Sequence, residues 1–378
     1  MEPLRLGFFT EVYRPVVNGV VASVEALADG LRQRAHEVYC FAPHMPGYDE
    51  PDGPVFRIPS LPLPTRTPYR LALPLVSRRN RNRVIKRLSL VHAHSPFVTG
   101  WMGLRYARRY GMPLVYTYHT QLEAYAHYIP FEPNATRLAA SALTRTFANS
   151  ADAVVVPTPA MSARLRAIGV TTRIDVVPSG IDLARFGAGR RNEPLRARCG
   201  VAPNERMLLA VGRLAKEKNL ELAIEALARA NDPALRLVVA GDGPHREELE
   251  RFASEAGVAG ATRFLGAVAR EQLPDLYASA DAFVMPSTSE TQGLVLAEAL
   301  AAGALVIAAD APQNRDVVGE AGWIVPPDPR AFGRAFAEIG VPGGGAEARR
   351  AAQRFSIDTQ IDAMEALYAS LAVPARIA

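Results

Sequence analysis

The sequence predicts an α/β protein with two doubly wound domains, in which parallel sheets carry helices on both faces. Short apolar runs alternate with helical patterns along the whole chain, which is typical of buried parallel strands. The alternation forms two series, and 378 residues are enough for two domains of ordinary size. We therefore expect two sheets, with the ligand in a deep cleft outside the carboxyl ends of their strands.

The first series fills the N-terminal half of the chain. It opens with a strand at 4–9, and a helix follows at 20–34 because apolar residues recur there at helical spacing. Further strands of this series are predicted at 37–42, 90–93, 114–118 and 153–156, with helices at 100–110 and 161–168.

The second series follows a boundary near residue 175, so the domains are expected at 1–175 and 176–356. Its strands are predicted at 207–211, 235–240, 262–265, 282–285 and 305–308, and its helices at 220–229, 245–256, 273–279 and 293–302. A last helix is expected over about 359–371.

Composition excludes several classes of protein. The chain is 49% apolar and 21% charged, which is typical of a globular protein and excludes disorder of the whole chain. No apolar run approaches the ~18 residues of a spanning helix, and charged Glu11 and Arg14 interrupt any signal-peptide pattern. Two cysteines, Cys40 and Cys199, are too few for a disulfide framework. We expect a cytoplasmic protein with buried thiols.

Positive charge is concentrated in the N-terminal half. Residues 1–180 hold 21 basic and 12 acidic residues, and no acidic residue lies between Asp52 and Glu123. This asymmetry predicts an anionic partner. A nucleic acid is disfavoured because the stretch lacks interleaved aromatic residues and a recognition module. The twelve basic residues of the stretch are Arg57, Arg66, Arg70, Arg78, Arg79, Arg81, Arg83, Lys86, Arg87, Arg105, Arg108 and Arg109.

Two glycine-containing turns lie between a predicted strand and a predicted helix. Asn18 and Gly19 can place backbone N–H groups at a helix start, where an anion is favoured. In the G-D-G-P segment at 241–244, Gly241 and Gly243 permit a close backbone approach. Each turn can equally be an ordinary tight turn, and neither is the G-x-G-x-x-G fingerprint of dinucleotide-binding proteins.

Lysine is rare in this chain, yet two of its three lysines lie in the pentapeptide A-K-E-K-N. Lys216 and Lys218 follow Arg213 directly after a predicted strand, whereas the third lysine is Lys86. A guanidinium and a movable ammonium together suit a diphosphate. The alternative is a set of solvated charges at a helix start.

The segment at 286–303 carries two carboxylates eight residues apart. Glu290 is predicted in a loop, and Glu298 within the following helix, in an otherwise apolar run. The two can hold hydroxyl groups at the two ends of an elongated ligand, with a phosphate over the helix start between them. The residues expected to open that helix are Thr291, Gln292, Gly293 and Leu294.

Together these motifs resemble the retaining glycosyltransferases of family 4, which have the GT-B architecture of two Rossmann-like domains. Glu290 and Glu298 match the family's E-x7-E motif, and Gly212-Arg213 with Lys218 matches its G-R-x4-K pair. The segments G-D-G-P, F-L-G-A-V (264–268) and P-S-G-I-D (178–182) are similar to other family landmarks. The resemblance covers nearly the whole chain, although Asn18 stands where a glycine often precedes Gly19.

The resemblance implies a nucleotide-sugar donor as co-substrate and no cofactor. It implies that Glu290 binds the donor sugar, Glu298 the ribose, and Arg213 and Lys218 the diphosphate. His119, in T-Y-H-T-Q, matches a histidine close to the transferred sugar. The helix at about 357–378 is implied to pack back on the N-terminal domain. The full set of implied donor-binding residues is Asn18, Gly19, Arg213, Lys218, Gly243, Val268, Glu290, Thr291, Gln292, Gly293, Leu294 and Glu298, and the implied catalytic residues are His119, Glu290, Arg213 and Lys218.

No metal site is expected. The chain has no D-x-D pair, and the basic side chains and the helix start can stabilise a leaving diphosphate without a divalent ion. His92 and His94 alternate on a predicted strand but lack a third ligand, so we interpret them as core or cleft residues.

The acceptor is predicted from finer resemblance to bacterial diacylglycerol glucosyltransferases, seen in V-N-G-V-V-A-S-V, F-R-I-P-S-L-P-L-P and Y-H-T-Q-L-E-A-Y. This implies UDP-glucose and a lipid acceptor such as diacylglycerol. The alternatives are UDP-galactose or GDP-mannose as donor, and a soluble acceptor. Arg79, Arg83 and Arg87 lie at helical spacing beside apolar residues, as in an element that adsorbs to anionic lipid. The predicted membrane-binding residues, on the cytoplasmic face of the cell membrane, are Arg78, Arg79, Arg81, Arg83, Lys86 and Arg87.

Overall fold

The computed structural model describes residues 2–50, 53–63, 69–74, 83–124, 132–340 and 345–371. The chain divides into two compact units. The N-terminal unit comprises Met1–Gly180 together with Ile357–Ala378, and the C-terminal unit comprises Ile181–Ser356. The chain therefore passes between units after Gly180, five residues beyond the position expected from the sequence.

The N-terminal unit is built on a seven-stranded parallel sheet in the order β3-β2-β1-β6-β7-β8-β9. The chain order reverses between β1 and β6, which makes this the switch point where ligands of doubly wound sheets bind. Two short strands, β4 and β5, form a separate antiparallel hairpin that the sequence did not predict. The strands are β1 (Arg5–Phe9), β2 (Glu37–Pro43), β3 (Val55–Ile58), β4 (Ser60–Pro62), β5 (Arg70–Ala72), β6 (Leu90–Ala93), β7 (Leu114–Thr117), β8 (Ala153–Val156) and β9 (Ile174–Val176).

Helices cover both faces of this sheet, because alternate strand residues point to opposite sides. Leu6 and Phe8 of β1 lie in one buried cluster, and Phe9 lies in the cluster on the other face. Asn18 caps the first helix by accepting a hydrogen bond from the Val21 N–H at 2.9 Å. The helices are α1 (Gly19–Gln33), α2 (Val98–Tyr110), α3 (Pro133–Ala148) and α4 (Pro159–Ala167).

The C-terminal unit has a six-stranded parallel sheet in the order β12-β11-β10-β13-β14-β15, which is the strand order of a Rossmann fold. Its switch point lies between β10 and β13. The strands are β10 (Arg206–Val211), β11 (Leu235–Ala240), β12 (Thr262–Gly266), β13 (Ala282–Met285), β14 (Val306–Ala309) and β15 (Gly322–Val325).

Buried clusters again lie on both faces of the second sheet, so the expectation of two Rossmann-like domains is confirmed. A 3-10 turn at Lys216–Lys218 precedes the second-sheet helix that follows β10. The helices are α5 (Leu183–Gly187), α6 (Glu193–Arg198), α7 (Leu220–Ala230), α8 (Arg246–Glu255), α9 (Leu273–Ser279), α10 (Leu294–Ala302), α11 (Pro312–Val318), α12 (Pro329–Ala337) and α13 (Gly345–Ala352).

A buried ion pair fastens α6 to the amino ends of the second sheet. The Arg196 side chain is fully buried, and its Nη1 donates to Asp281 Oδ2 at 2.9 Å and to the Ser279 carbonyl at 2.7 Å. Asp281 also accepts hydrogen bonds from the Met207 N–H at 2.6 Å and from Arg191 at 2.8 Å. The buried carboxylate and guanidinium are thus hydrogen-bonded to each other, which offsets the cost of removing both charges from solvent.

The last helix, α14 (Ile357–Leu371), belongs to the N-terminal unit although it follows the whole C-terminal unit in sequence. Ile361, Met364, Leu367 and Tyr368 are buried in the same cluster as the apolar face of α1. Polar contacts add to this packing, since Glu365 accepts hydrogen bonds from both Arg34 and His36. The first unit therefore completes its core with residues from the other end of the chain.

Candidate functional site

Four loops of the C-terminal unit bring the predicted residues to the carboxyl edge of its sheet. Arg213 follows β10, Gly243 follows β11, Val268 follows β12 and Glu290 follows β13. The carboxyl ends of parallel strands lie at one edge, so these loops are neighbours around the switch point. A small cavity there is lined in part by Gly212, Arg213 and Lys218.

Both predicted cations of this edge are paired with carboxylates. Lys218 Nζ donates to Glu290 Oε1, which joins the loop after β10 to the loop after β13. Arg213 Nη2 donates to Glu217 Oε1, and the Glu217 side chain is only 2% exposed. The sequence did not predict a role for Glu217, although its place four residues after Arg213 was a signal that an ion pair was possible.

The loop between β13 and α10 is held from two sides. Ser287 Oγ and Ser289 Oγ both donate to the Glu217 carbonyl, at 2.9 and 3.1 Å. On the other side, the amide of Gln313 donates at 2.7 Å to a carbonyl of this loop, and the amide of Asn314 donates at 2.9 Å to the preceding one. These hydrogen bonds hold the loop that carries Glu290 beside the 3-10 turn that carries Lys218.

Helix α10 begins one residue after the predicted bound of 293, but Thr291 and Gln292 lie outside it. Thr291 and Gln292 were expected to open it, but the helix begins at Leu294, and Gly293 stands before it with φ 73° and ψ 78°. This left-handed conformation is readily adopted only by glycine, and it interrupts the helical path between the loop and the helix. Thr291 and Gln292 are therefore loop residues, and the amino end of the helix lies three positions further on.

Glu298 lies inside α10 and is buried, with 7% of its surface exposed. Its Oε2 accepts a hydrogen bond from the Tyr277 hydroxyl at 2.9 Å. Burial raises the pKa of Glu298 above its ordinary value, because removal from water disfavours the charged form. No sequence signal pointed to Tyr277, which is 21 residues away on α9.

The raised pKa of Glu298 predicts a pH-dependent effect of replacing it. The folded state binds this proton more tightly than the unfolded state, so ionisation of Glu298 costs stability as pH rises through the raised pKa. The glutamine of E298Q cannot ionise. The melting temperature of E298Q should match that of the wild type in acid and exceed it increasingly towards neutral pH. Scanning calorimetry of both proteins over a series of pH values from acid to neutral would measure the difference. E320Q, at an exposed glutamate, is the control; a difference in E298Q that is constant with pH would contradict the prediction.

Gly241 and Gly243 are required by the packing of one loop against another. A Cβ atom at Gly241 would lie 1.8 Å from the Gly212 carbonyl oxygen, and one at Gly243 would lie 2.2 Å from the Leu214 carbonyl oxygen. The loops after β10 and β11 are therefore in backbone contact. This contact explains the glycines without a ligand, and donor binding by Gly243 stays a prediction.

A larger cavity, of about 620 Å³, lies at the opposite edge of the same sheet. Its arginines already serve the fold: Arg190 donates to carbonyls of the 187–189 turn, Arg191 pairs with Asp281, and Arg349 donates to the Ala302 carbonyl at the end of α10. The carboxyl edge, not this cavity, holds the predicted residues.

The N-terminal unit has histidines at its own switch point. His94 follows β6 and His119 follows β7, and the ring nitrogens His94 Nδ1 and His119 Nε2 are 3.0 Å apart. Burial lowers the pKa of His119 to about 4. His92 is fully buried, with Tyr368 Oη 2.8 Å from Nδ1 and Thr117 Oγ1 2.7 Å from Nε2. Asn18 and Gly19 lie at the start of α1 in this unit.

The predicted membrane-binding residues are described only in part. Arg78, Arg79 and Arg81 lie outside the described residues, as does most of the predicted basic helix. Residues 83–85 form a helical turn, and Arg83, Lys86 and Arg87 are all exposed while the intervening Ile85 is buried in the core. In the hairpin, Leu61 and Leu71 are directly opposite each other and are 54% and 42% exposed.

The described residues include neither a membrane-spanning helix nor a cluster of metal ligands. None of their helices has both the length and the apolar character needed to cross a bilayer. Within the same part of the chain, no three His, Cys, Asp or Glu side chains gather as a metal site would require.

Comparison with known proteins identifies the family. The model of glycosyltransferase family 4 matches residues 17–185, and the model of glycosyl transferases group 1 matches residues 192–340. The α-monoglucosyldiacylglycerol synthase of Streptococcus pneumoniae is 32% identical over 328 residues, which are 84% of this chain and 74% of the relative. The chain belongs to glycosyltransferase family 4.

Other relatives of this glycosyltransferase have different substrates in their names. The GDP-mannose-dependent α-mannosyltransferase of Mycobacterium tuberculosis is 35% identical over 329 residues, covering 83% of this chain and 81% of the relative. The crystal structure of Anabaena HepE in complex with UDP and glucose aligns with a TM-score of 0.77 at 20% identity, over 97% of this chain and all of that one. This likeness confirms the GT-B fold.

Proposed function

We propose that this glycosyltransferase moves a hexose, with retention of anomeric configuration, from a nucleotide sugar to a membrane lipid of the diacylglycerol class. UDP-glucose is the proposed donor. The observation that carries the proposal is the 32% identity with an α-monoglucosyldiacylglycerol synthase over most of both chains. The exposed basic residues of the N-terminal unit support a lipid acceptor independently.

Arg213 and Lys218 are the proposed diphosphate ligands. Breaking the bond between the sugar and the diphosphate leaves negative charge on the leaving group, and fixed cations lower the barrier by stabilising that charge. Lys218 is paired with Glu290 and Arg213 with Glu217, so both cations are held in place at the switch point by side chains of the same unit. The donor then meets groups that need little reorganisation.

Glu290 and Glu298 are the proposed hydroxyl ligands. Glu290 shares Lys218 with the diphosphate and accepts hydrogen bonds from the transferred sugar, as the family resemblance implies. Tyr277 holds Glu298 Oε2, so a ribose hydroxyl would donate to Oε1. The amino end of α10 faces the leaving phosphate in this arrangement, and its dipole adds to the stabilisation.

Retention follows from attack on the face that the diphosphate leaves. The bond from the anomeric carbon to the phosphate oxygen breaks, and the bond from the acceptor hydroxyl oxygen forms on the same face. The acceptor's proton passes to the departing phosphate oxygen. No carboxylate nucleophile is required, and the charge stabilisation comes from side chains and backbone.

The proposed lipid enters from a surface of the N-terminal unit with charge and apolar area. Arg83, Lys86 and Arg87 are exposed, and Leu61 and Leu71 present a cross-strand apolar pair. Cations attract anionic headgroups while apolar side chains insert among them, so the enzyme would bind reversibly at the cytoplasmic face.

Reversing the charge of Arg83, Lys86 and Arg87 should release the protein from anionic vesicles. Each cation near such a surface is worth about 1 kcal/mol, so three together are worth ~100-fold in partitioning. Sedimentation of the triple glutamate variant with phosphatidylglycerol vesicles would measure this loss. The matched control reverses three exposed arginines of the other unit, Arg330, Arg334 and Arg350. Equal sedimentation of both variants would refute a specific basic surface.

The donor and acceptor are tested together. The enzyme is incubated with UDP-glucose, UDP-galactose or GDP-mannose and diacylglycerol in mixed micelles, and the lipid products are analysed by mass spectrometry. A monohexosyl diacylglycerol made from UDP-glucose is the expected product. The coupling constant of its anomeric proton, measured by NMR spectroscopy, shows whether the configuration is retained. The 35% identity with GDP-mannose-dependent mannosyltransferases favours GDP-mannose as the second candidate. Transfer to water-soluble acceptors alone would overturn the lipid proposal.

A further inference from the structure

His94 directly follows β6 and differs in one respect from His92, the buried histidine on that strand. Both ring nitrogens of His92 have hydrogen-bond partners, whereas His94 has a partner only at Nδ1. His94 is 3% exposed, and its Nε2 is a buried atom for which the described residues provide no hydrogen-bond partner. Such an atom at the switch point of a doubly wound sheet needs an explanation.

The two histidines that face each other, His94 and His119, are neutral at physiological pH. Burial is the main cause that lowers the pKa of His94, with His92 and His119 adding to it, and burial lowers the pKa of His119 to about 4. A neutral imidazole carries one N–H and one lone pair. At 3.0 Å, one of the two facing nitrogens must therefore donate to the other.

The unpartnered nitrogen decides the direction of this hydrogen bond. If His119 donated, the proton of His94 would sit on the buried Nε2 with no acceptor among the described residues. If His94 donates from Nδ1, only a lone pair is left unpartnered. Buried N–H groups without an acceptor are rarer than buried acceptors without a donor. The second arrangement is therefore favoured.

We propose that His94 is a positioning residue that donates its Nδ1–H to Nε2 of His119 and so holds His119 with its own proton on Nδ1. Nothing in the family resemblance assigned a role to His94. Under the proposed function, on which this meaning rests, His119 then has a single neutral tautomer and one fixed orientation beside the transferred sugar. A histidine that could exchange tautomers would offer a donor in one state and an acceptor in the other.

The tautomer of His119 is measured directly by two-bond ¹H–¹⁵N spectra of enzyme labelled with ¹⁵N-histidine. The signals are assigned from variants in which one histidine at a time is replaced. The wild type should show His119 protonated on Nδ1. H94N and H94D are matched in size but opposite in chemistry: the asparagine amide can still donate to Nε2, whereas the aspartate carboxylate can only accept. H94N should preserve the tautomer, and H94D should move the proton to Nε2.

Activity supplies the second readout. Groups that orient a functional histidine are worth about 10–100-fold in metalloenzymes, and we expect a loss of this order in turnover for H94D but not for H94N. Affinity for UDP, which binds groups of the C-terminal unit in the proposal, should not change in either variant.

The outcomes separate the two proposals. A wild-type His119 protonated on Nε2 overturns the tautomer assignment whatever the activity, and needs no variant to fold. If the spectra show the predicted tautomers but H94N and H94D have equal turnover numbers, the positioning role of His94 is wrong. If the wild type transfers no sugar from any donor, the proposed function fails while the spectra still decide the tautomer.

Discussion

Replacing Lys218 with alanine should lower the turnover number by about 10²–10³-fold, the loss typical of removing one preorganised group that stabilises transition-state charge. The ammonium is held in place by Glu290, so it reaches the leaving diphosphate without searching for its position. Steady-state kinetics with saturating nucleotide sugar would measure the effect.

Lys216 provides the control for this variant. It lies in the same 3-10 turn two residues earlier and is exposed, so K216A removes the same charge from the same turn without removing the pair with Glu290. We expect K216A to keep most of the wild-type turnover. Equal turnover numbers for K218A and K216A would show that Lys218 does not stabilise the leaving diphosphate. A double-mutant cycle with E290Q should be non-additive, because the two side chains are in direct contact.

Replacing Arg196 with alanine should produce the largest loss of stability. Removing one partner of a buried ion pair costs about 3–5 kcal/mol, since the other charge is left without compensation. Here Asp281 would keep Arg191, but it would lose the fully buried guanidinium that also holds the Ser279 carbonyl. For a unit of this size the loss corresponds to a fall of about 6–20 °C in melting temperature.

Scanning calorimetry of the full chain would measure this fall. R198A is the control, because Arg198 is exposed on the same short helix and its loss leaves the pair intact. We expect the R198A thermogram to overlie that of the wild type. A melting temperature for R196A within about 2–4 °C of the wild type, which is about 1 kcal/mol, would mean that Arg191 alone satisfies Asp281.

The part of the site that follows a strand was predictable from the sequence. Arg213, Lys218 and Glu290 lie at the carboxyl edge because each comes shortly after a strand that the apolar pattern had revealed, and parallel strands end at one edge. The order of strands and loops along the chain is enough to place these residues at the carboxyl edge.

Partners distant in sequence were not predictable. Tyr277 reaches Glu298 from another helix, and Gln313 and Asn314 reach the loop before α10 from beyond the next strand. These contacts depend on how helices pack on the sheet, which no periodicity records. The placement of Thr291 and Gln292 in the loop has a local cause, since a glycine in a helical pattern does not reveal that it will adopt a positive φ.

The position of α14 has a consequence for biosynthesis. A ribosome releases the N-terminal unit first, yet Ile361, Met364, Leu367 and Tyr368 of its core are translated after the entire C-terminal unit. Until then the buried cluster on the α1 face of the first sheet lacks these four side chains, while the second unit has its whole sequence available and can fold. Domains usually fold in the order of their synthesis. In this protein the unit that begins first in the sequence therefore completes its core last.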